Sequence, residues 1–274
     1  MAANFNKLES TNKTGENGDD MIKEKIEDNI VIAVLSNGKT NSVTLETLRQ
    51  LDGIVKKVNE DESLKGIVLT GDGRFFSSGF HLPMFLDFKN HGEAVDFFLK
   101  EEEMLINFFT CKKPVVSAIN GHCAAAGLIL SMAADYRIAK FHPKIKLGMS
   151  EIKIGLALSI AQNEIMRFGL DTDKKFRNVM YFGEMFGVEK AKEMEIVDEI
   201  VNDDDELIRR AKEIVALWID TPNRPFITMK NLLKKDTVDR IRERLKGSEW
   251  KEALHCFFRE DVRATLEFVQ ASME

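Results

Sequence analysis

Two short stretches place backbone beside small side chains in a way that could do chemistry. They are "RFFSSGFHL" (74–82) and "NGHCAAAGLIL" (120–130). Each follows an apolar run that reads as a buried strand. Small residues let a ligand approach main-chain N–H groups closely. A helix beginning near Ala126 adds the partial positive charge of its free N–H groups. Two such donors aimed at one point make an oxyanion hole for a thioester or similar carbonyl. The same residues also fit two tight strand-to-helix turns packed on a sheet, since small residues are common at turns.

Other motifs fail on their own terms. "NGKT" (37–40) looks like the end of a phosphate-binding loop, but Ala33 stands where that loop needs glycine. "GDGRFF" (71–76) follows a strand as a dinucleotide fingerprint would, yet Phe76 takes the third glycine position. The histidines His81, His91, His122, His142 and His255 have no metal-ligand spacing, so no metal site is expected. Ser77 and Ser78 lie in a turn that is not a nucleophile elbow. The run Glu101-Glu102-Glu103 reads as a solvated helix face. Phe85, Phe88, Phe97, Phe98 and Phe109 fit either an acyl pocket or, from their helical spacing, plain core packing. Cys123 reads as a small core residue.

The elements that must carry the two turns alternate along the chain. Residues 1–22 are polar and Asn-rich and read as a disordered tail. "NIVIAVL" (29–35), "GIVLT" (66–70) and "PVVSAI" (114–119) are buried strands, and "DYRIA" (135–139) and "IKLGMSE" (145–151) are strand-like. Leu45, Leu48, Leu51, Val55 and Val58 mark an amphipathic helix; 94–110 and about 125–134 are helices as well. This β-α-β spacing implies an α/β fold with parallel pairing and right-handed crossovers over a core of residues 23–200. From about 188 the pattern turns helical, and residues 201–274 should pack on that core or on a neighbouring subunit.

Composition narrows the class. The 274 residues are 44% hydrophobic and 31% charged, enough for one large domain. Lys and Arg number 39 against 45 Asp and Glu, a net charge of -6 that argues against nucleic-acid or anionic-membrane partners. Cys111, Cys123 and Cys256 are too few for a disulfide scaffold, and a reducing cytoplasmic setting is expected. No apolar run suits a membrane span or a signal peptide.

Three stretches together resemble a known family. "VLTGDGRFFSSGFHL", "KPVVSAINGHCAAAGLILSMAADYRIA" and "IKLGMSEIKIGL" look like the signature segments of the crotonase superfamily, the enoyl-coenzyme A hydratases and isomerases, over about 25–200. The resemblance implies a crotonase-like ββα spiral core with a helical C-terminal region. It also puts oxyanion donors at the Phe80 and Ala126 N–H groups. Relatives carry consecutive glycines at the second turn; here Ala125 and Ala126 replace two, which keeps the donor where φ is negative. Hydratases of the family hold a water between two glutamates. The first position is Ile129 here and the second is Glu151, which on its own also fits a strand-end glutamate in a salt bridge.

One carboxylate and an oxyanion hole suffice to move a proton, so the resemblance is closest to a Δ3,Δ2-enoyl-coenzyme A isomerase with Glu151 as acid/base. The alternatives are a hydratase, dehydratase or hydrolase in which His81 or Asp87 replaces the missing glutamate, a non-catalytic acyl-coenzyme A binder, and a scaffold. His81, Phe85, His122, Ile129 and Leu156 are pocket candidates; His81 also reads as loop-shaping and His122 as ordering its loop. Lys39, Thr70 to Gly73 and Lys230 are coenzyme candidates, and either lysine could be a solvated surface charge. No separate cofactor is implied, because coenzyme A arrives as part of the substrate. A homotrimer or dimer of trimers is expected.

Overall fold

The computed structural model describes residues 20–273. The first elements are a hairpin. β1 (Ile22–Glu27) pairs antiparallel with β2 (Ile30–Leu35) around Asp28 and Asn29, whose φ values of 52° and 62° suit a two-residue turn between twisted strands. The expected tail therefore ends earlier than residue 22, since Ile22 already opens β1; its first 19 positions lie outside the described residues. Only Ile22 of β1 is fully buried, so this edge strand carries too little apolar alternation to be read from sequence.

The chain continues through α1 (Leu45–Glu60), β3 (Gly66–Gly71), β4 (Phe75–Ser77), α2 (Pro83–Leu86), α3 (His91–Phe109), β5 (Val115–Ile119), β6 (His122–Ala124), α4 (Ala126–Ala133) and β7 (Tyr136–Lys140). After β8 (Leu147–Gly148) comes a 3-10 helix (Glu151–Ile154), then α5 (Ile160–Leu170), α6 (Asp173–Met180), β9 (Met185–Phe186), α7 (Val188–Glu193) and β10 (Glu199–Val201). The remainder is α8 (Asp204–Ile219), α9 (Pro225–Leu245), α10 (Glu249–Ala253), a second 3-10 helix (Leu254–Phe258) and α11 (Glu260–Met273).

Six strands form one sheet in the order β1-β2-β3-β5-β7-β10, parallel apart from β1. β3 and β5 are buried along their whole length, as strands covered on both faces must be. One face packs on α1, α3, α4 and α5, and the other on α8 through Leu207, Ala211, Ile214 and Val215. Beyond the carboxyl ends of β3 and β5 the chain builds a second sheet, β4-β6-β8-β9, parallel apart from β9. Both glycine-rich turns leave from this small sheet. α10, α11 and the second 3-10 helix return to pack beside α2 and α3.

Two expectations change. The strand-like reading of 145–151 holds only for Leu147 and Gly148, because β6 offers a short edge and pairing ends there; Glu151 opens a 3-10 helix instead. Glu101 and Glu102 do not face solvent. They are 2% and 1% exposed, because α3 is covered by both α1 and α5. Glu102 accepts the Ile160 and Ala161 N–H groups at 2.7 Å each, and Glu101 accepts from Ser159 Oγ and Gln162 Nε2 at 3.1 Å. The pair thus caps the start of α5. Burial pushes both carboxyls above the usual carboxylate range, and the neighbouring Glu102 carboxylate raises Glu101 further.

Candidate active site

The first turn is held from behind. Ser78 N–H donates to the Thr40 carbonyl (2.9 Å), Val43 N–H to that of Gly79 (2.7 Å), and His81 N–H to that of Val43 (2.9 Å). Ser77 Oγ accepts the Gly79 N–H at 3.2 Å, with Gly79 at φ 103°. Backbone polar groups alternate in direction along an extended segment, so the Phe80 N–H faces away from Val43. It has no acceptor among the described residues.

The second turn is pinned in the same manner. Cys123 and Ala125 donate to the carbonyls of Lys146 (3.0 Å) and Gly148 (3.1 Å). Ala125 then turns at φ 54° and ψ -129°, and α4 begins at Ala126. The Ala126 N–H, first of the helix, likewise has no acceptor among the described residues. The alanine that departs from negative φ is therefore Ala125, in a conformation that favours glycine. Gly127 lets α4 lie directly on β4: a Cβ there would stand 2.7 Å from Ser77.

The two turns touch. A Cβ on Gly79 would sit 3.3 Å from the Ala126 nitrogen. This juxtaposition brings two unengaged N–H groups, one at the start of a helix, to one small region.

Glu151 follows three residues after Gly148, the partner of Ala125, and is 9% exposed. Its Oε2 is buried with no hydrogen-bond partner, and no cation lies within ion-pairing distance among the described residues. The salt-bridge reading is thereby removed. Burial pushes the carboxyl up to about 7, against backbone hydrogen bonds at Glu151 and Ser150 that pull it down. Such a group can both take and return a proton near neutral pH.

The other candidates lie in different surroundings. Phe80, Phe85 and Leu156 share one apolar cluster with Phe97, Phe98 and Ile154, the core packing that the helical spacing of the phenylalanines also allowed. Ile129 is 2% exposed in the main core, leaving the first glutamate position apolar. His81 is half-buried with Nδ1 3.5 Å from Ser42 Oγ. His122 orders its strand: its ring packs on Phe75 (5.0 Å) and Nδ1 accepts the Lys146 N–H (3.3 Å). Phe109 lies elsewhere, against Phe168 and beneath Lys234.

Thr70, Gly73 and Asn120, at the carboxyl ends of β3 and β5, line one side of a cleft of about 410 Å³ whose other walls come from β1, β2 and the start of α8, including Glu27, Val34 and Asp204. Asn120 ties the turn after β3 to the end of β5 by donating to the Gly73 carbonyl and accepting the Gly71 N–H, both at 3.0 Å. Lys39 is exposed on the loop whose next residue, Thr40, binds Ser78.

Lys230 is a correction. Its side chain is 3% exposed and bonds Asp135 and the Lys113 carbonyl at the amino ends of β5 and β7, the far end of the sheet from that cleft. Lys234 joins the same cluster, donating to Asp135 (2.7 Å) and the carbonyls of Phe109 and Ala133, and burial with Lys230 nearby brings it down to about 8. Within one chain, Lys230 is spent on structure. The helical spacing of Lys230 and Lys234 was the available signal, but spacing does not tell a buried ion cluster from a solvated face.

A spiral α/β core with two paired backbone turns beside a buried glutamate defines the crotonase fold. The chain belongs to the enoyl-CoA hydratase/isomerase family, whose model matches residues 25–267. It is 25% identical over 213 residues to the mouse protein named "Enoyl-CoA delta isomerase 1, mitochondrial", covering 77% of this chain and 73% of that one. It is 24% identical to a probable enoyl-CoA hydratase of Bacillus subtilis, over 89% of this chain and 92% of the relative. The structure of human mitochondrial delta3-delta2-enoyl-CoA isomerase superposes with a TM-score of 0.84 at 21% identity, covering 93% and 98% of the two chains. Among the described residues no helix is long and apolar enough to cross a membrane.

Proposed function

We propose that this chain is a Δ3,Δ2-enoyl-coenzyme A isomerase in which Glu151 is the single acid/base. The observation that carries the reading is the buried Glu151 carboxyl, whose Oε2 has no hydrogen-bond partner, combined with an apolar residue, Ile129, at the family's other glutamate position. A thioester carbonyl bound between the Phe80 and Ala126 N–H groups gains about 3 kcal/mol per donor as it becomes an enolate oxygen. The Glu151 carboxylate removes a proton from C2 of a 3-enoyl thioester, and the C–H electron pair passes into the enolate. As the enolate collapses, its electrons form the C2–C3 double bond while the C3–C4 pair takes the proton from Glu151 at C4. No water enters, and Ile129 offers no group to hold one.

The cleft at Thr70, Gly73 and Asn120, with Lys39 on the adjoining loop, suits the coenzyme end of the substrate. Met229, Leu232 and Leu233 recur on one exposed face of α9, which suits assembly with further copies into a homotrimer or dimer of trimers. The Glu151→Gln variant tests the assignment: it keeps shape and hydrogen bonding but cannot carry the proton. Loss of isomerisation with retained acyl-coenzyme A binding is expected; unaltered turnover overturns Glu151 as the base.

A further inference from the structure

We propose that Phe257, from the C-terminal region, closes the acyl end of the site and restricts the substrate to short-chain enoyl thioesters. This rests on the isomerase reading for the location of the thioester. The coenzyme end has the cleft at Thr70, Gly73 and Asn120. The acyl end is left the aromatic cluster, onto which both Phe80 and the segment following Glu151 pack through Ile154 and Leu156.

That cluster is filled rather than hollow. The Phe80 ring lies 5.5 Å from Phe85, and Phe85 lies 4.8 Å from Phe257, which in turn meets Phe98 at 5.5 Å and Phe88 at 5.7 Å. These are contact separations for aromatic rings, and Phe257 is 3% exposed. Phe257 meets Phe80 through Phe85, or through Phe97 and then Phe98 or Phe88, and never directly, so it stands at the outer end of the cluster. A long acyl chain would have to displace it.

The segment that carries Phe257 is tied down on both sides. His91, at the start of α3, stacks on His255 (3.9 Å, 9° between rings), and its Nε2 donates to the Lys251 carbonyl at 2.7 Å. Beyond it, Arg263 Nη2 donates to the Leu86 carbonyl at 2.8 Å, and Val262 meets Gly155 so closely that a Cβ there would be 2.9 Å away. Closely packed rings in such a frame have little room to yield.

The test compares 3-hexenoyl- and 3-hexadecenoyl-coenzyme A in the wild type, F257A and, should F257A not fold, F257L. In parallel, saturated butanoyl- and hexadecanoyl-coenzyme A are compared by thermal shift, which reads binding without turnover. The wild type should favour the short chain in kcat/KM by about tenfold or more, and the variant should reduce that preference by about tenfold through gain on the long chain. Equal use of both chains by the wild type overturns the proposal, as does an unchanged preference in both variants. Short-chain preference in binding, relaxed in the variant but with no isomerisation of either substrate, supports the closure and overturns the isomerase reading instead. Failure to bind any acyl-coenzyme A overturns both.

Discussion

Gly79 and Ala125 face one another so closely that a Cβ on Gly79 would lie 2.5 Å from the Ala125 methyl. Real Cβ contacts do not reach that distance, so Gly79→Ala must push the two turns apart. On the proposed oxyanion-hole reading, the Phe80 and Ala126 N–H groups would then be drawn away from a shared oxygen. Removing one donor from an oxyanion hole costs about 100-fold or more in rate. Gly79→Ala should therefore lose at least about 100-fold in kcat for isomerisation while its far-ultraviolet circular dichroism stays native.

Ala125→Gly should act in the opposite direction on stability. Ala125 holds φ 54° with ψ -129°, a conformation glycine adopts without side-chain strain. Relief of that strain should raise the unfolding free energy by about 1 kcal/mol in urea titrations. A lowered midpoint would show that the methyl contributes packing that outweighs the strain.

On the proposed role of Glu151 as the base, its carboxyl also governs how activity varies with pH. Its burial-raised pKa of about 7 means that the base form fills as pH rises, so kcat/KM for a 3-enoyl thioester should climb through an apparent pKa near 7. Stability should move the other way. The folded chain keeps a proton that the unfolded chain releases, so stability is fully present below about 4.5 and is lost as pH rises through about 7. Glu101 and Glu102, also raised by burial, add to the same decline. Glu151→Gln should be more stable than wild type at alkaline pH by about 1–3 kcal/mol, measured by chemical unfolding.

The Asp135 cluster should affect folding and not the coenzyme. Asp135 lies below the usual carboxylate range despite its burial, because Lys230 and Lys234 sit against it. Asp135→Asn leaves two buried ammonium groups uncompensated and should cost about 3–5 kcal/mol in unfolding free energy. Lys230→Met should leave the affinity for coenzyme A unchanged by calorimetry. A large fall in that affinity would return Lys230 to the binding site.

Much of this was legible from residue order. Buried parallel strands announce themselves as continuous apolar runs, so "GIVLT" and "PVVSAI" fell within β3 and β5 to a residue or two. The turns between them were visible as small residues, and their spacing as a resemblance. What was hidden depended on which surfaces meet in space. Glu101 and Glu102 look solvated until α5 is laid across α3. Lys230 looks available until Asp135 is found beneath it. Phe257 is remote in the chain from Phe85, and only the return of the C-terminal helices sets their rings 4.8 Å apart. Positive φ at Ala125 was equally hidden, since alanine carries no mark of a strained turn.

The most direct measurement is product analysis of purified wild-type chain given 3-hexenoyl-coenzyme A and, separately, 2-hexenoyl-coenzyme A, followed by chromatography and mass. The predicted result is conversion of the 3-enoyl to the 2-enoyl thioester with no change in mass, no appreciable hydration of either, and loss of the conversion in Glu151→Gln. Robust formation of the 3-hydroxyacyl product, heavier by one water, would contradict an isomerase that works with Glu151 alone.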